Sequence, residues 1–468
     1  MKTIICSLLS GIGFYFSLGL GDQWWLAWLA PIPVLWLAFG DAKGWTLFAA
    51  AGFSMALGAS SLLRAYAGTL PVLILLLAVA APSFTFALAV MGARRVWRAI
   101  GPVAGMFSFA ALWTGFDFLA SLNDAGGSIG TPAAAEVGMP FLIQIAALIG
   151  FVGITFLLSI VPAGIAASLR SRRPLPAVIA LALFAANAAY GYWRMSRPPS
   201  AVLRVALIDS DAAVGRNRVA DREATFNAID AYVTAIRKLD DPRVRLIVLP
   251  ENISRIAPEW RSAAQARLAA ASNQTNATLV AGFNTQRDNA QRNISWAFTP
   301  GATQPVVYEK RRLVPALESA VFTPGPGPQV LANGIGLEIC KDMDYQAMLR
   351  ADAVLTRPVL LAVPAWDFDQ DDWSHARVAI LRSVENGVPM ARSARNGLLT
   401  LNDRYGRIVA RAKTTSAFTI LTGDLPLDGR GGDTVYDTIG DVFGWLCVAV
   451  SVAAMVWTQL RTRRSPVA

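Results

Sequence analysis

The sequence predicts a multi-pass α-helical membrane bundle joined to one large α/β domain, on the strength of three observations. The 468 residues are 54% hydrophobic and only 16% charged, whereas a water-soluble protein is nearer one-quarter charged. The apolar excess is concentrated in residues 1–196 and again near the C-terminus, while 199–430 has ordinary globular composition. Within that middle stretch, short apolar strands alternate with amphipathic helices, the pattern of a layered α/β domain. The expected organisation is a seven-helix membrane domain over 1–196, an α/β domain over 197–438, and a C-terminal span with its tail over 439–468.

A helix needs about 20 apolar residues to cross a bilayer. Seven runs qualify in the first part, near 4–20, 24–40, 45–63, 70–91, 102–121, 140–168 and 175–193, and an eighth lies near 440–459. The first follows Met1-Lys2 and resembles a signal peptide. Six more spans follow it, so it is read as a retained helix. If the spans alternate, Lys2, Lys43, Arg94, Arg95, Arg98, Arg170, Arg172, Arg173, Arg461, Arg463 and Arg464 share one side. Arg64, Arg194 and Arg197 fall on the other. The positive-inside rule makes the first side cytoplasmic and puts 197–438 on the outer face. Trp24, Trp25, Trp445 and Trp457 sit near span ends, as interfacial anchors do. Asp117 lies inside the fifth span, where an acid is either functional or the cap of a break near loop 122–138.

The net charge of +10 does not point to nucleic acid. The basic residues cluster beside the apolar runs, and no basic stripe with interleaved aromatics occurs. A membrane is the expected partner. Cys6 and Cys447 lie in apolar runs, leaving Cys340 as the one thiol of the α/β domain and a nucleophile candidate. His375 is the only histidine, so neither a multi-histidine metal centre nor structural zinc is expected, and no cofactor.

In chain order the α/β domain reads as strand 202–208, helix 219–238, strand 246–250, helix 260–272 and strand 278–283. Then come strand 335–340, strand 359–364, helix 372–386, and four short strands over 389–394, 398–402, 407–412 and 418–423. Four Asn-x-Ser/Thr tripeptides, at Asn252, Asn273, Asn276 and Asn293, carry no weight, being common by chance.

Three segments carry chemistry: Leu249-Pro250-Glu251, Tyr308-Glu309-Lys310 running on to Pro315, and Gly336-Leu337-Glu338-Ile339-Cys340. Strand C-termini of α/β sheets gather ligand sites. Taken singly, each residue has a plainer reading: a surface carboxylate, a solvated lysine, a packed cysteine. Together they resemble the nitrilase superfamily, whose Glu, Lys and Cys come in this order, here 59 and then 30 residues apart. The membrane context narrows the resemblance to the apolipoprotein N-acyltransferase family. It extends through Trp366, Arg382-x-x-Glu385-x-Gly387, Arg392-Ser393-x-x-Asn396-Gly397, and Gln144 to Gly150 and Gly153 in the membrane part.

The resemblance implies an α-β-β-α sandwich and a Glu251–Lys310–Cys340 triad. A thiol is mostly protonated at neutral pH, so a base must take its proton and a cation must favour the thiolate. Glu251 is expected as the base and Lys310 as the cation, with Lys310 and the backbone N–H of Lys341 facing the oxyanion. Glu318 matches a further acid of the family; the plainer reading from the residues alone is a loop carboxylate paired with Arg311 or Arg312. Lys341, Asp342 and Trp366 are expected to support the site or bind substrate. The reaction implied moves an acyl chain from a phospholipid, through a Cys340 thioester, to the α-amine of an apolipoprotein's S-diacylglyceryl cysteine at the bacterial inner membrane. Aromatics of loop 365–373 could touch acyl chains, although its four acids suit a polar loop as well. The chain departs from the family at Lys341-Asp342, where an aromatic and Glu are usual, at Ala316-Leu317 before Glu318, and in loop 122–138, which lacks an aromatic-proline-tryptophan element. These departures leave open a membrane-anchored relative that acylates another amine or hydrolyses an amide.

Overall fold

The computed structural model describes residues 1–215 and 219–464. The chain folds as two units: 1–123 with 127–196 and 439–468, and 124–126 with 197–438.

The first unit is helical: α1 (Lys2–Ser17), α2 (Trp24–Leu29), α3 (Ile32–Ala38), α4 (Gly44–Ala65), α5 (Val72–Ala99), α6 (Pro102–Ser121), α7 (Ala146–Ile149), α8 (Val152–Ser171) and α9 (Leu175–Met195). Among the described residues six helices are long and apolar enough to cross a membrane: α4, α5, α6, α8, α9 and the C-terminal helix over Val442–Arg461. Three expected spans differ. The run 4–20 gives a 16-residue helix. The run 24–40 divides at Pro31 into α2 and α3, because proline supplies no N–H to continue the ladder but suits a helix start. The run 140–168 divides at Gly150, whose φ of +78° ends α7, so the long helix begins only at Val152. Side chains of Arg463 and Arg464, which entered the charge-bias reading, lie outside the described residues. Asp117 on α6 accepts hydroxyl hydrogen bonds from Thr131 (2.9 Å) and Thr155 (2.6 Å), tying α6 to the following loop and to α8. Large apolar side chains such as Val72 and Leu73 stay exposed, as a lipid-facing surface requires.

The second unit runs β1 (Ala201–Asp209), α10 (Arg222–Arg237), β2 (Leu246–Val248), β3 (Arg255–Ile256), α11 (Arg261–Thr275), β4 (Thr278–Arg287), β5 (Ala290–Phe298), β6 (Val306–Glu309), β7 (Gln329–Val330), β8 (Ile335–Leu337), α12 (Gln346–Thr356), β9 (Leu360–Trp366), α13 (Asp372–Asn386), β10 (Met390–Arg395), β11 (Leu398–Asn402), β12 (Ile408–Lys413) and β13 (Thr419–Leu427). Helices α14 (Val435–Ile439) and α15 (Val442–Arg464) follow, and α15 returns to the first unit.

The strands form two mixed sheets, β13-β1-β2-β4-β5-β6 with β3 beside β4, and β12-β11-β10-β9-β8-β7. Alternation along buried strands fills two cores at once. Val205, Leu207, Leu246, Val248 and Val280 face a core shared with Leu337, Ile339, Leu360 and Ala391 of the second sheet. Their neighbours Ala206, Ile208, Ile247, Leu279 and Ala281 pack with Ile229, Tyr232 and Leu268 of α10 and α11. With α12 and α13 on the far side of the second sheet, the order of layers is α-β-β-α. Parallel pairing of β1, β2 and β4, two antiparallel steps from β4 through β5 to β6, and parallel pairing of β8, β9 and β10 send the three chemistry-bearing strand ends to the same edge of the sandwich.

Candidate active site

Glu251 follows β2 and is 1% exposed. Its backbone N–H donates to the Ala365 carbonyl (3.2 Å) at the end of β9, fixing it across the sandwich. The close approach of Gly282 helps: a side chain there would meet the Glu251 Cα at 2.6 Å. Lys310 follows β6, is also 1% exposed, and its Nζ donates to Glu251 Oε1 at 2.9 Å and Glu318 Oε1 at 2.9 Å. Asn293, on the adjacent strand β5, donates to the same two carboxylates at 2.6 and 2.9 Å. Glu318 is therefore not a partner of Arg311 or Arg312. Its Oε2 caps the Val314 N–H (2.8 Å), closing the loop beyond Lys310 over the site.

Cys340 follows β8 and opens a 3-10 turn over Cys340–Asp344 with φ of +42°. That left-handed conformation is costly for a side chain with a Cβ, and it lifts the thiol out of the sheet. Sγ donates toward the Trp366 carbonyl at 3.5 Å, and the residue stays partly exposed. Within this turn the Asp342 N–H donates back to the Ile339 carbonyl at 2.9 Å.

The charges are interdependent. Burial pushes the Cys340 thiol well up and the Glu251 carboxylate adds to this, while Lys310 opposes it; Asp367 and Arg392 act in the same two senses. Burial also raises Glu251, opposed by Lys310. At Lys310 burial disfavours the ammonium, but Glu251 and Glu318 outweigh it and hold the proton well above the usual lysine range. A fixed cation and a carboxylate with elevated proton affinity beside a thiol are the parts a proton transfer from sulfur needs.

Asp342 is the brace. Its Oδ1 accepts the N–H of Arg311 (3.2 Å) and Arg312 (2.8 Å), and its Oδ2 accepts that of Ile339 (3.1 Å) and the Tyr308 hydroxyl (2.8 Å). The Lys341 ammonium turns aside, to Asp344 at 3.4 Å and over the Tyr345 ring. In loop 365–373 both tryptophans are taken by arginines: Trp366 by Arg395, and Trp373 by Arg377 and Arg411.

Sequence reasoning missed Asn293, discounted as part of a chance tripeptide although it is 1% exposed and joins two carboxylates. It also missed Tyr308, Glu338 and the Asp367–Arg392 pair, whose bond is 2.9 Å through Nη1. A polar residue alternating with Ile294 and Trp296 on a doubly buried strand was the available signal for Asn293.

Residues 10–164 match the apolipoprotein N-acyltransferase N-terminal domain, and 205–431 match the carbon-nitrogen hydrolase domain. The chain belongs to the apolipoprotein N-acyltransferase family. It is an acyltransferase of carbon-nitrogen hydrolase type. An apolipoprotein N-acyltransferase of Geobacter metallireducens is 24% identical over 399 residues, covering 77% of this chain and 75% of that protein. One from Pseudomonas aeruginosa is 26% identical over 276 residues, 51% of each chain. One from Thermotoga maritima is 26% identical over 159 residues, 32% of this chain and 29% of its own. Among solved structures, an amidase from Nesterenkonia sp. covers 48% of this chain and 91% of its own at 21% identity, with a TM-score of 0.41. A carbon-nitrogen hydrolase from Helicobacter pylori G27 covers 48% and 89% at 19% identity, with a TM-score of 0.39.

Proposed function

We propose that this family member transfers a fatty acyl group from a phospholipid, by way of a Cys340 thioester, to the N-terminal S-diacylglyceryl cysteine of an apolipoprotein, with residues 197–438 on the periplasmic face of the inner membrane. The observation that carries the reading is Lys310 Nζ bridging Glu251 and Glu318 at 2.9 Å each, beside a thiol held in a left-handed turn.

Glu251 takes the proton as Cys340 sulfur bonds to the ester carbonyl carbon. The oxyanion so formed faces the Lys310 ammonium and the Lys341 N–H. When the C–O bond breaks, Glu251 returns the proton to the departing lysophospholipid alkoxide. The acceptor amine then attacks the thioester, Glu251 takes its proton, the C–S bond breaks, and the thiolate is reprotonated. Both substrates are lipid-anchored, so a membrane-tethered site converts a search in solution into a local one.

The test is the mass of a synthetic diacylglyceryl-cysteine peptide incubated with the enzyme and phospholipid. Gain of one acyl group on its α-amine supports the reading. An unmodified peptide alongside acylation of another amine, or release of an amide's ammonia, favours the second reading, which the lysine at 341 motivates.

A further inference from the structure

The end of β10 holds a buried cation that the chain does not neutralise. Strand β10 runs parallel to β9 with Arg395 opposite Trp366, and the Arg395 guanidinium carbon lies 3.7 Å from the Trp366 ring centroid. Nη1 donates to the Asn252 carbonyl at 3.1 Å, next to Glu251. Arg395 is 3% exposed, yet among the described residues no carboxylate lies within ion-pair distance of it. Arg392, three residues earlier on the same strand, and Arg382 on α13 are buried as deeply and are paired, with Asp367 and Glu385. Burial holds Arg395 below the ordinary arginine range, and Tyr232, Asp209, Glu251 and Asp211 act on it without restoring it. A buried charge with no counter-ion is strongly unfavourable.

Its position indicates which anion suits it. The Trp366 ring carries the guanidinium, and the Trp366 carbonyl faces Cys340 Sγ at 3.5 Å. Cation and nucleophile therefore flank one residue. A glycerophospholipid has the same arrangement, an ester carbonyl joined through a few bonds to a phosphodiester. Stacking fixes the plane of the guanidinium, and with Nη1 given to the Asn252 carbonyl its remaining N–H groups are the ones to address an anion's oxygens. Burial pushes the neighbouring Asp209 up to about 7, which reduces its repulsion of an incoming anion.

We propose that Arg395, held against Trp366, binds the phosphodiester of the acyl donor while the donor's ester carbonyl lies at Cys340. This rests on the phospholipid-donor reading above. The position is a specificity element: its loss is felt by donors that carry phosphate and not through the thiol chemistry.

The test compares acylation of Cys340 by a phospholipid and by diacylglycerol with the same chains, in the full-length wild type, Arg395→Gln and Arg395→Lys. The readout is the ratio of the two second-order rates, taken on one preparation, so partial misfolding cancels. The expected ratio falls roughly 10- to 100-fold in Arg395→Gln, the range for losing a hydrogen bond to a charged group, and less in Arg395→Lys. Inorganic phosphate should slow phospholipid transfer in the wild type more than in Arg395→Gln. A ratio unchanged in Arg395→Gln overturns the assignment and leaves the donor reading standing, as a mere prop for Trp366 would affect both donors alike. Phosphate that competes at Arg395 while the ratio stays unchanged indicates a free-anion site and also overturns it. A wild type acylated by diacylglycerol but by no phospholipid overturns the donor reading itself.

Discussion

The carboxylate of Asp342, two residues beyond the nucleophile candidate, accepts the backbone N–H of Arg312, two residues beyond Lys310, at 2.8 Å. The same carboxylate accepts the N–H of Ile339, immediately before Cys340, at 3.1 Å. One side chain thus holds the lysine segment and the cysteine turn in register. Asp342→Ala would leave the buried N–H groups of Arg311, Arg312 and Ile339 without this acceptor, at about 1–3 kcal/mol for each left unsatisfied. The expected outcome is a clearly lower unfolding midpoint and slower Cys340 acylation, both read by thermal melting and rapid-quench mass analysis. Unchanged melting would remove the bracing role.

Lys310 sits between two carboxylates with almost no solvent. Removing its charge by Lys310→Met leaves Glu251 and Glu318 facing each other, and breaking a buried pair in this way costs about 3–5 kcal/mol. Glu251→Gln keeps the size and an acceptor for Lys310 but cannot take a proton. It should fold as well as the wild type and lose roughly 100- to 10,000-fold in acylation rate, the usual share of a general base. Denaturant unfolding and single-turnover acylation separate the two effects.

Behind the site, the single Tyr308 hydroxyl lies 2.8 Å from both Glu338 Oε2 and Asp342 Oδ2. One proton cannot serve both. Glu338 also accepts from Arg311 at 3.0 Å, but burial outweighs that cation and raises Glu338 to about 8, which predicts that Glu338 is the carboxyl that takes up a proton while Tyr308 donates to Asp342. A carboxyl raised from 4.5 to about 8 on folding binds more protons folded than unfolded in that interval. Its effect on stability is therefore increasingly unfavourable as pH rises from about 4.5 to about 8 and level above. Glu338→Gln mimics the neutral form. Its melting temperature should gain on the wild type across that window, measured at pH 5 and pH 8; a constant difference would refute the protonated assignment.

His375 is the only histidine, so its ring resonances are assignable without further labelling. Burial opposes its charge, but Asp371, 3.0 Å away, outweighs burial and raises it to about 9. The raised value means that the stabilisation is fully present below about 6.5 and is lost as pH rises through about 9. An NMR titration should give a midpoint near 9, and Asp371→Asn should bring it back toward 6.5.

Much of the architecture was legible because burial patterns write themselves into composition. Helix 372–386 and strand 398–402 have the bounds their periodicity predicts. Strand β5 was not visible, since its inward positions include the polar residues Asn293 and Ser295, of which Asn293 serves the site rather than the core. The run 140–168 misled for the opposite reason: it is apolar throughout, and only the positive φ of Gly150 divides it. The proximity of Glu251 to Lys310 could be inferred from a motif order, but the tie through Asp342 could not. It depends on which way a turn points, and hydropathy does not encode that.

The most direct measurement is the intact mass of the full-length protein after mixing with phospholipid vesicles. The expected result is one acyl-sized increment on Cys340, released by hydroxylamine, absent in Cys340→Ala and discharged by a diacylglyceryl peptide. An increment that persists in Cys340→Ala, or a wild type that stays unmodified while still transferring acyl groups, would contradict a mechanism built on this thiol.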